Sequence, residues 1–189
     1  LREDHSLLRP VHLVCRTLPD ADGAAAMTVE DVVVIGVGNR YRRDDGVGPA
    51  VADLCAARRP PGVRVVTEPA DPADLLDAWT DMRLAVLVDA AVTGAAPPGS
   101  VTSCRATDLA ATPVNSSHGV DLAAVVRLGR ALDRLPGELV VVCVEAGATG
   151  HGPGLTPAVA AAAAAAADVV LAAITERRAP IPARRMPSR

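Results

Sequence analysis

The 189-residue chain contains no lysine and no phenylalanine, a single tyrosine, Tyr41, and a single tryptophan, Trp79. Without aromatic bulk a core has to be assembled from Val, Leu, Ile and Ala, and the 50% hydrophobic content allows a sizeable one. Arginine carries all 19 positive side-chain charges, which together with the abundance of Ala, Pro and Gly points to a GC-rich coding sequence and not to a binding device. A net charge of −3 gives no electrostatic case for nucleic acid. The four cysteines, Cys15, Cys55, Cys104 and Cys143, form no Cys-x-x-Cys pair, which argues against a zinc knuckle or dithiol site. Cys55 and Cys143 sit in apolar patterns and read as buried free thiols of a reducing, cytoplasmic compartment. The longest apolar stretch, Ala158 to Ile174, is mostly alanine and is broken by Asp168, so no membrane span is predicted. No secretion signal is recognisable at the start.

What is present is an alternation. Residues 32–37, 63–67, 84–89 and 139–144 are short apolar runs that predict buried strands. Between them, residues 46–58 predict a helix with Val47, Val51 and Leu54 on its inner side, and residues 72–81 a helix with Asp71 as cap and Pro72 in its first turn. Residues 120–133 predict a helix with Val120, Ala124, Leu128 and Leu132 on its apolar face. Pro157 opens a long alanine-rich helix that Thr156 can cap. The segment 100–105 follows its predecessor too closely for a helical crossover and predicts an antiparallel or edge strand. The expected fold is α/β, a three-layer α/β/α sandwich around a twisted, mostly parallel sheet of about five strands, with one antiparallel. The first strand is expected at its centre, flanked by the second and third. Residues 1–29, aperiodic and mixing Pro, Asp and Gly, are expected to be a disordered extension or the product of an upstream start assignment, Met27 lying just before the first clear strand. Residues 30–177 are expected to form one domain and residues 178–189 a flexible tail.

In such a sheet the gap between the first and third strands is a topological switch point, and ligands bind beyond the carboxyl ends there. Three polar residues fall on that rim. Asp45 follows the first strand, Asp89 is predicted to be the last residue of the third, and His118 precedes the third helix. Oxygen and imidazole donors from three directions suit a transition metal with open positions, or acid–base chemistry. Each has an ordinary alternative: Asp44 or Asp45 could cap the first helix, Asp89 could bind backbone amides, and His118 could pack at a helix start. One of the two adjacent acids is expected to cap, with Asp45 pointing into the cleft. Gly38 and Asn39 are expected to shape the cleft floor, glycine by allowing close backbone approach and asparagine through its amide. Glu145 and His151 lie on the same rim, the first expected as a supporting group and the second as a solvated loop residue. Gly154 to Pro157 reads as a turn and cap.

Gly36-Val-Gly38 after a strand suggests a dinucleotide loop, but the third glycine position is Tyr41, and Asp44 and Asp45 would repel a pyrophosphate. Nucleotide binding therefore ranks below the metal reading. Ser116 and Ser117 adjoin His118, yet no Gly-x-Ser-x-Gly elbow occurs.

GVGNRYRRDDGVG, followed by LVDA, SSHGVDL and GLTP, resembles the endopeptidases that mature [NiFe] hydrogenases, over roughly residues 32–175. The resemblance implies an endopeptidase that removes a C-terminal peptide from a hydrogenase large-subunit precursor already carrying nickel. By that resemblance Asp45, Asp89 and His118 contact the metal, which is borne by the substrate and could polarise the scissile carbonyl or supply a bound hydroxide. An aspartate near it could assist proton transfer. The run Arg40-Tyr41-Arg42-Arg43 stands where relatives often have a more apolar stretch, which bears on the partner recognised. The alternatives are a non-cleaving protein of the same fold that binds the metal or the precursor and, less favoured, a nucleotide-binding α/β protein. No membrane, nucleic-acid or nucleotide partner is expected, and the sequence does not decide the oligomeric state.

Overall fold

Val32–Gly36 form the first strand, β1, and every residue of it is buried, because the sheet is covered on both faces. The computed structural model describes residues 31–105 and 122–178. Along them follow a 3-10 turn (Arg43–Gly46), α1 (Val47–Ala57), β2 (Val63–Thr67), α2 (Pro72–Trp79), β3 (Leu84–Ala91), β4 (Val101–Arg105), α3 (Leu122–Ala131), β5 (Glu138–Glu145) and α4 (Pro157–Arg178). The predicted extension over 1–29 and residues 179–189 of the predicted tail lie outside the described residues.

The sheet order is β2-β1-β3-β5-β4. β1, β2, β3 and β5 pair in parallel, and β4 runs antiparallel to β5 at an edge, as its short connection to β3 requires. Side chains alternate strictly across the sheet. Val32, Val34, Val86 and Val142 join α1 and α4 in one cluster, whereas Val33, Ile35, Leu87 and Val141 join α2 and α3 in the other. This is the expected three-layer α/β/α architecture. The centre, however, is β3 and not β1, because β5 and β4 extend the sheet on the β3 side only. The expected flanking of β1 by β2 and β3 holds, so the switch point lies where it was placed.

α2 begins as predicted: the Asp71 carboxylate accepts from the Ala73 and Asp74 amides at 2.7 and 3.0 Å, with Pro72 in the first turn. Two helix faces depart from prediction. On α1 the residue completing the buried stripe is Cys55, while Leu54 is partly exposed. On α3 the buried positions are Leu122, Val125, Val126 and Gly129, and Leu128 and Leu132 face outward. In both cases two apolar stripes at helical spacing compete, and the docking angle on the sheet selects one. α1 lies close to β1 because Gly36 and Gly48 meet: a β-carbon on Gly36 would overlap the Gly48 carbonyl, and one on Gly48 would overlap the carbonyls of Val37 and Val88. By length and composition α4 could cross a membrane. Here Val159, Ala163, Ala166, Ala167, Val170 and Ile174 form one face built into the core against the sheet and α1.

Candidate active site

Where β1 ends, the Val37 amide donates to the Val88 carbonyl at 2.9 Å, so β1 and β3 stay joined up to the switch point. Gly38 then takes φ +132°, and a β-carbon there would overlap the backbone carbonyl of Asp45. Glycine is thus needed both for the turn and for the close approach of residue 45. The Asn39 backbone amide, not its side chain, donates to Asp45 Oδ2 at 3.0 Å, and Asn39 Oδ1 accepts from the Tyr41 backbone amide at 2.9 Å, a side-chain turn that folds the loop back. The 3-10 turn that follows carries Asp44 and Asp45 inward until both are fully buried.

The two neighbouring acids have different work. Asp44 Oδ2 accepts from the Gly147 and Ala148 amides, each at 2.9 Å, and from the Thr156 hydroxyl at 2.9 Å. Its Oδ1 accepts from the Thr156 amide at 2.6 Å. Four donors around one buried carboxylate offset its desolvation and bind the loop before α1 to the loop between β5 and α4. Backbone bonds complete the join: Arg43 N to Gly152 O at 2.8 Å, Asp44 N to Ala148 O at 3.0 Å and Gly152 N to Tyr41 O at 2.9 Å. The expectation that one of these acids caps the first helix is therefore corrected. Gly46 is the cap residue of α1, no side chain caps it, and Asp44 is committed to the other loop instead. Thr156 spends its hydroxyl on Asp44, while its carbonyl accepts from the Ala160 amide in the first turn of α4.

Asp89 lies inside β3, two residues before its end, so it is not the terminal residue that the apolar run suggested. Ala90 and Ala91 continue the pairing opposite Val144 and Glu145. Asp89 is 2% exposed, and its Oδ1 accepts from the Ala90 amide at 2.7 Å. By strand alternation it falls on the α2/α3 side of the sheet, opposite Cys143. Burial, together with the neighbouring Asp89 charge, pushes the Cys143 thiol up to about 12, which keeps it protonated and inert. The 3-10 turn contacts β3, so Asp45 and Asp89 are carried by touching elements at the carboxyl end of the sheet. His118, with Ser116 and Ser117, lies outside the described residues. Among the described residues no three His, Cys, Asp or Glu side chains group closely enough to hold a metal ion.

Glu145 ends β5, and its carboxylate accepts from the Thr93 amide and hydroxyl and the Gly94 amide at 2.7 to 2.9 Å, anchoring the turn after β3. Burial alone would raise its pKa, but the Thr93 hydroxyl and the two amides outweigh it and hold the group below the ordinary glutamate value. His151 is exposed on its loop. The role of Asp44 was not legible in the sequence. Two adjacent acids show that one is special but not which, and the donors of Asp44 lie more than 100 residues away.

Two buried carboxylates at a switch point can accept a cation or a proton, and they disfavour an anion at the start of α1. A family model described as HycI, hydrogenase maturation protease, matches residues 49–173, a span that begins after Asp45 and includes Asp89 and position 118. The fold is similar to that of the hydrogenase-maturating endopeptidase HybD from E. coli, with a TM-score of 0.68 and 28% identity over 78% of this chain and 93% of that one. It is also similar to the hydrogenase 2 maturation peptidase of a Thaumarchaeota archaeon, with a TM-score of 0.57 and 28% identity over 76% and 97% of the two chains. A [NiFe] hydrogenase maturation protease from Thermococcus kodakarensis shares the fold at 21% identity, with a TM-score of 0.64 over 75% and 97%. Among curated protein sequences there is no match.

Proposed function

Because the chain belongs to the hydrogenase maturation protease family, we propose that it cuts a C-terminal peptide from the precursor of a [NiFe]-hydrogenase large subunit in the cytoplasm. Nickel is part of that substrate. It arrives already seated in the client, and Asp45, Asp89 and His118 meet it. The observation that carries this reading is the burial of Asp45 and Asp89 on touching elements at the switch point. Each carboxylate already accepts from a backbone amide, that of Asn39 and that of Ala90, and negative charge held at a switch point suits a substrate that brings a cation.

In this reading the client's nickel would supply polarisation of the scissile carbonyl or a bound hydroxide. Asp45 and Asp89 orient the metal, and one of them takes a proton from the water that attacks the carbonyl carbon and returns it to the leaving amine as the peptide bond breaks. Gly38 and the Asn39 backbone amide hold residue 45 at the required depth. A small set of protein donors leaves coordination positions for the client's own ligands, so the enzyme need not strip the metal it inspects. Cleavage then reports that the client is loaded.

The test is mass spectrometry of precursor incubated with wild-type protein and with D45N, D89N and H118A, each first shown to be folded by its thermal transition. Wild type should trim nickel-loaded precursor, and each variant should be slower by roughly a hundredfold or more. Unaltered trimming by folded D89N or H118A would remove the assigned roles, and absence of trimming by folded wild type on nickel-loaded precursor would favour a protein that binds its client without cutting. Equal rates on nickel-free and nickel-loaded precursor would remove the inspection step.

A further inference from the structure

The run Arg40–Arg43 has no part in the chemistry above, and the structure divides it. Arg40 is neutralised, its guanidinium pairing with Asp53 at 2.8 Å and Glu68 at 2.9 Å. Arg42 spends one nitrogen on the Thr149 carbonyl, at 3.4 Å. The guanidinium of Arg43 lies over Gly152. Among the described residues neither Arg42 nor Arg43 forms an ion pair, although six other arginines do. Arg43 also holds φ +49°, an uncommon conformation for a side-chain-bearing residue, maintained by its backbone bond to Gly152. Tyr41 beside them is 76% exposed. The ledge is therefore cationic and solvent-accessible, half-buried at Arg42 and exposed at Arg43, and it leads directly into the buried Asp44 and Asp45.

We propose that Arg42 and Arg43 form a docking ledge for an acidic stretch of the polypeptide substrate. This deepens the protease reading and rests on it for the identity of the partner. The charges are arranged as a pair of opposite signs. The buried carboxylates favour the cationic end of a substrate, and the ledge favours an anionic segment within about five residues of extended chain from it. A substrate that is metal-bearing at one point and acidic nearby is then held in one orientation. A substrate presented backwards meets repulsion at both ends.

The experiment uses the full chain and two fluorescent decapeptides, one alternating Gly and Glu, the other Gly and Gln, with anisotropy as readout. The variants are R42Q/R43Q and, as a control, R58Q, whose arginine pairs with Asp168 at the far end of α1. Wild type and R58Q should prefer the Glu peptide. R42Q/R43Q should bind it about two- to thirtyfold more weakly at low salt, the effect expected of two exposed charge contacts, and the difference should shrink at high salt. With precursor as substrate, R42E/R43E should raise KM and leave kcat near the wild-type value. No preference for Glu over Gln in wild type, equal affinities for wild type and R42Q/R43Q, or an unchanged KM in R42E/R43E would each overturn the ledge. A wild-type protein that shows the peptide preference yet trims no precursor would sink the protease reading and leave the ledge standing as an acidic-peptide surface.

Discussion

Replacing Asp44 by alanine should unfold the protein more readily than replacing any exposed acid, and the size of the effect follows from the donors around it. The substitution strands four of them: the amides of Gly147, Ala148 and Thr156 and the Thr156 hydroxyl. A buried donor without an acceptor costs about 1–3 kcal/mol. The four are coupled and the loop can relax, so they do not add, and about 3–5 kcal/mol is expected, as for breaking other buried charged networks. D44N keeps the shape and one acceptor oxygen. Its amide nitrogen then opposes at least one of the donors, so about 1–3 kcal/mol is expected. For a domain of this size each kcal/mol lowers the melting temperature by about 2–4 °C, so D44A should fall by about 6–20 °C and D44N by less. Scanning calorimetry measures both. A D44A protein melting within about 1 °C of wild type would refute the clamp. At temperatures where D44N stays folded it should still trim precursor. If D44N keeps its stability and loses trimming, Asp44 and not Asp45 is the working acid.

Three further outcomes follow from the site. G38A should lose both stability and trimming, because a β-carbon would overlap the Asp45 carbonyl at a φ that only glycine adopts easily; normal activity and melting would show that the loop tolerates displacement. Glu145 has a folded pKa below its unfolded one, so its stabilisation is full above the ordinary value of about 4.3 and is lost as pH falls through the lower folded value. The urea midpoint of E145Q should therefore lie below wild type at neutral pH and converge with it in acid, and a gap independent of pH would contradict this. Burial pushes the thiols of Cys55 and Cys143 up to about 11 and about 12, so iodoacetamide at neutral pH should label neither until the protein is denatured. Peptide mapping of native protein that finds Cys143 alkylated would refute its burial.

Four strands were legible because each is a short apolar run closed by a glycine or a polar residue, β4 was placed by its short connection, and all five were found where expected, β2 to the residue. The antiparallel direction of β4 followed from loop length alone. Helix faces were less legible. Leu128 and Leu132 have the right spacing to be core, and so do Val125 and Gly129, and a periodic pattern cannot say which stripe meets the sheet. The end of β3 was misplaced for a related reason. Asp89 looks like a terminus in sequence, yet the backbone continues to pair for two residues, because a strand ends where its partner ends and not where its polarity changes.

Residue chemistry and local pattern were enough to establish the alternation of strands and helices, the aliphatic character of the core, the glycines at the β1 exit and the acids that follow them. Only the folded chain decided which of two adjacent aspartates is structural, since the donors that claim Asp44 come from the loop after β5 and from Thr156. Sheet order was settled the same way, with β3 at the centre because β5 and β4 add to its side. Local signals act over a few residues, whereas pairing partners, helix docking and the compensation of a buried charge depend on groups that meet only after the backbone has closed.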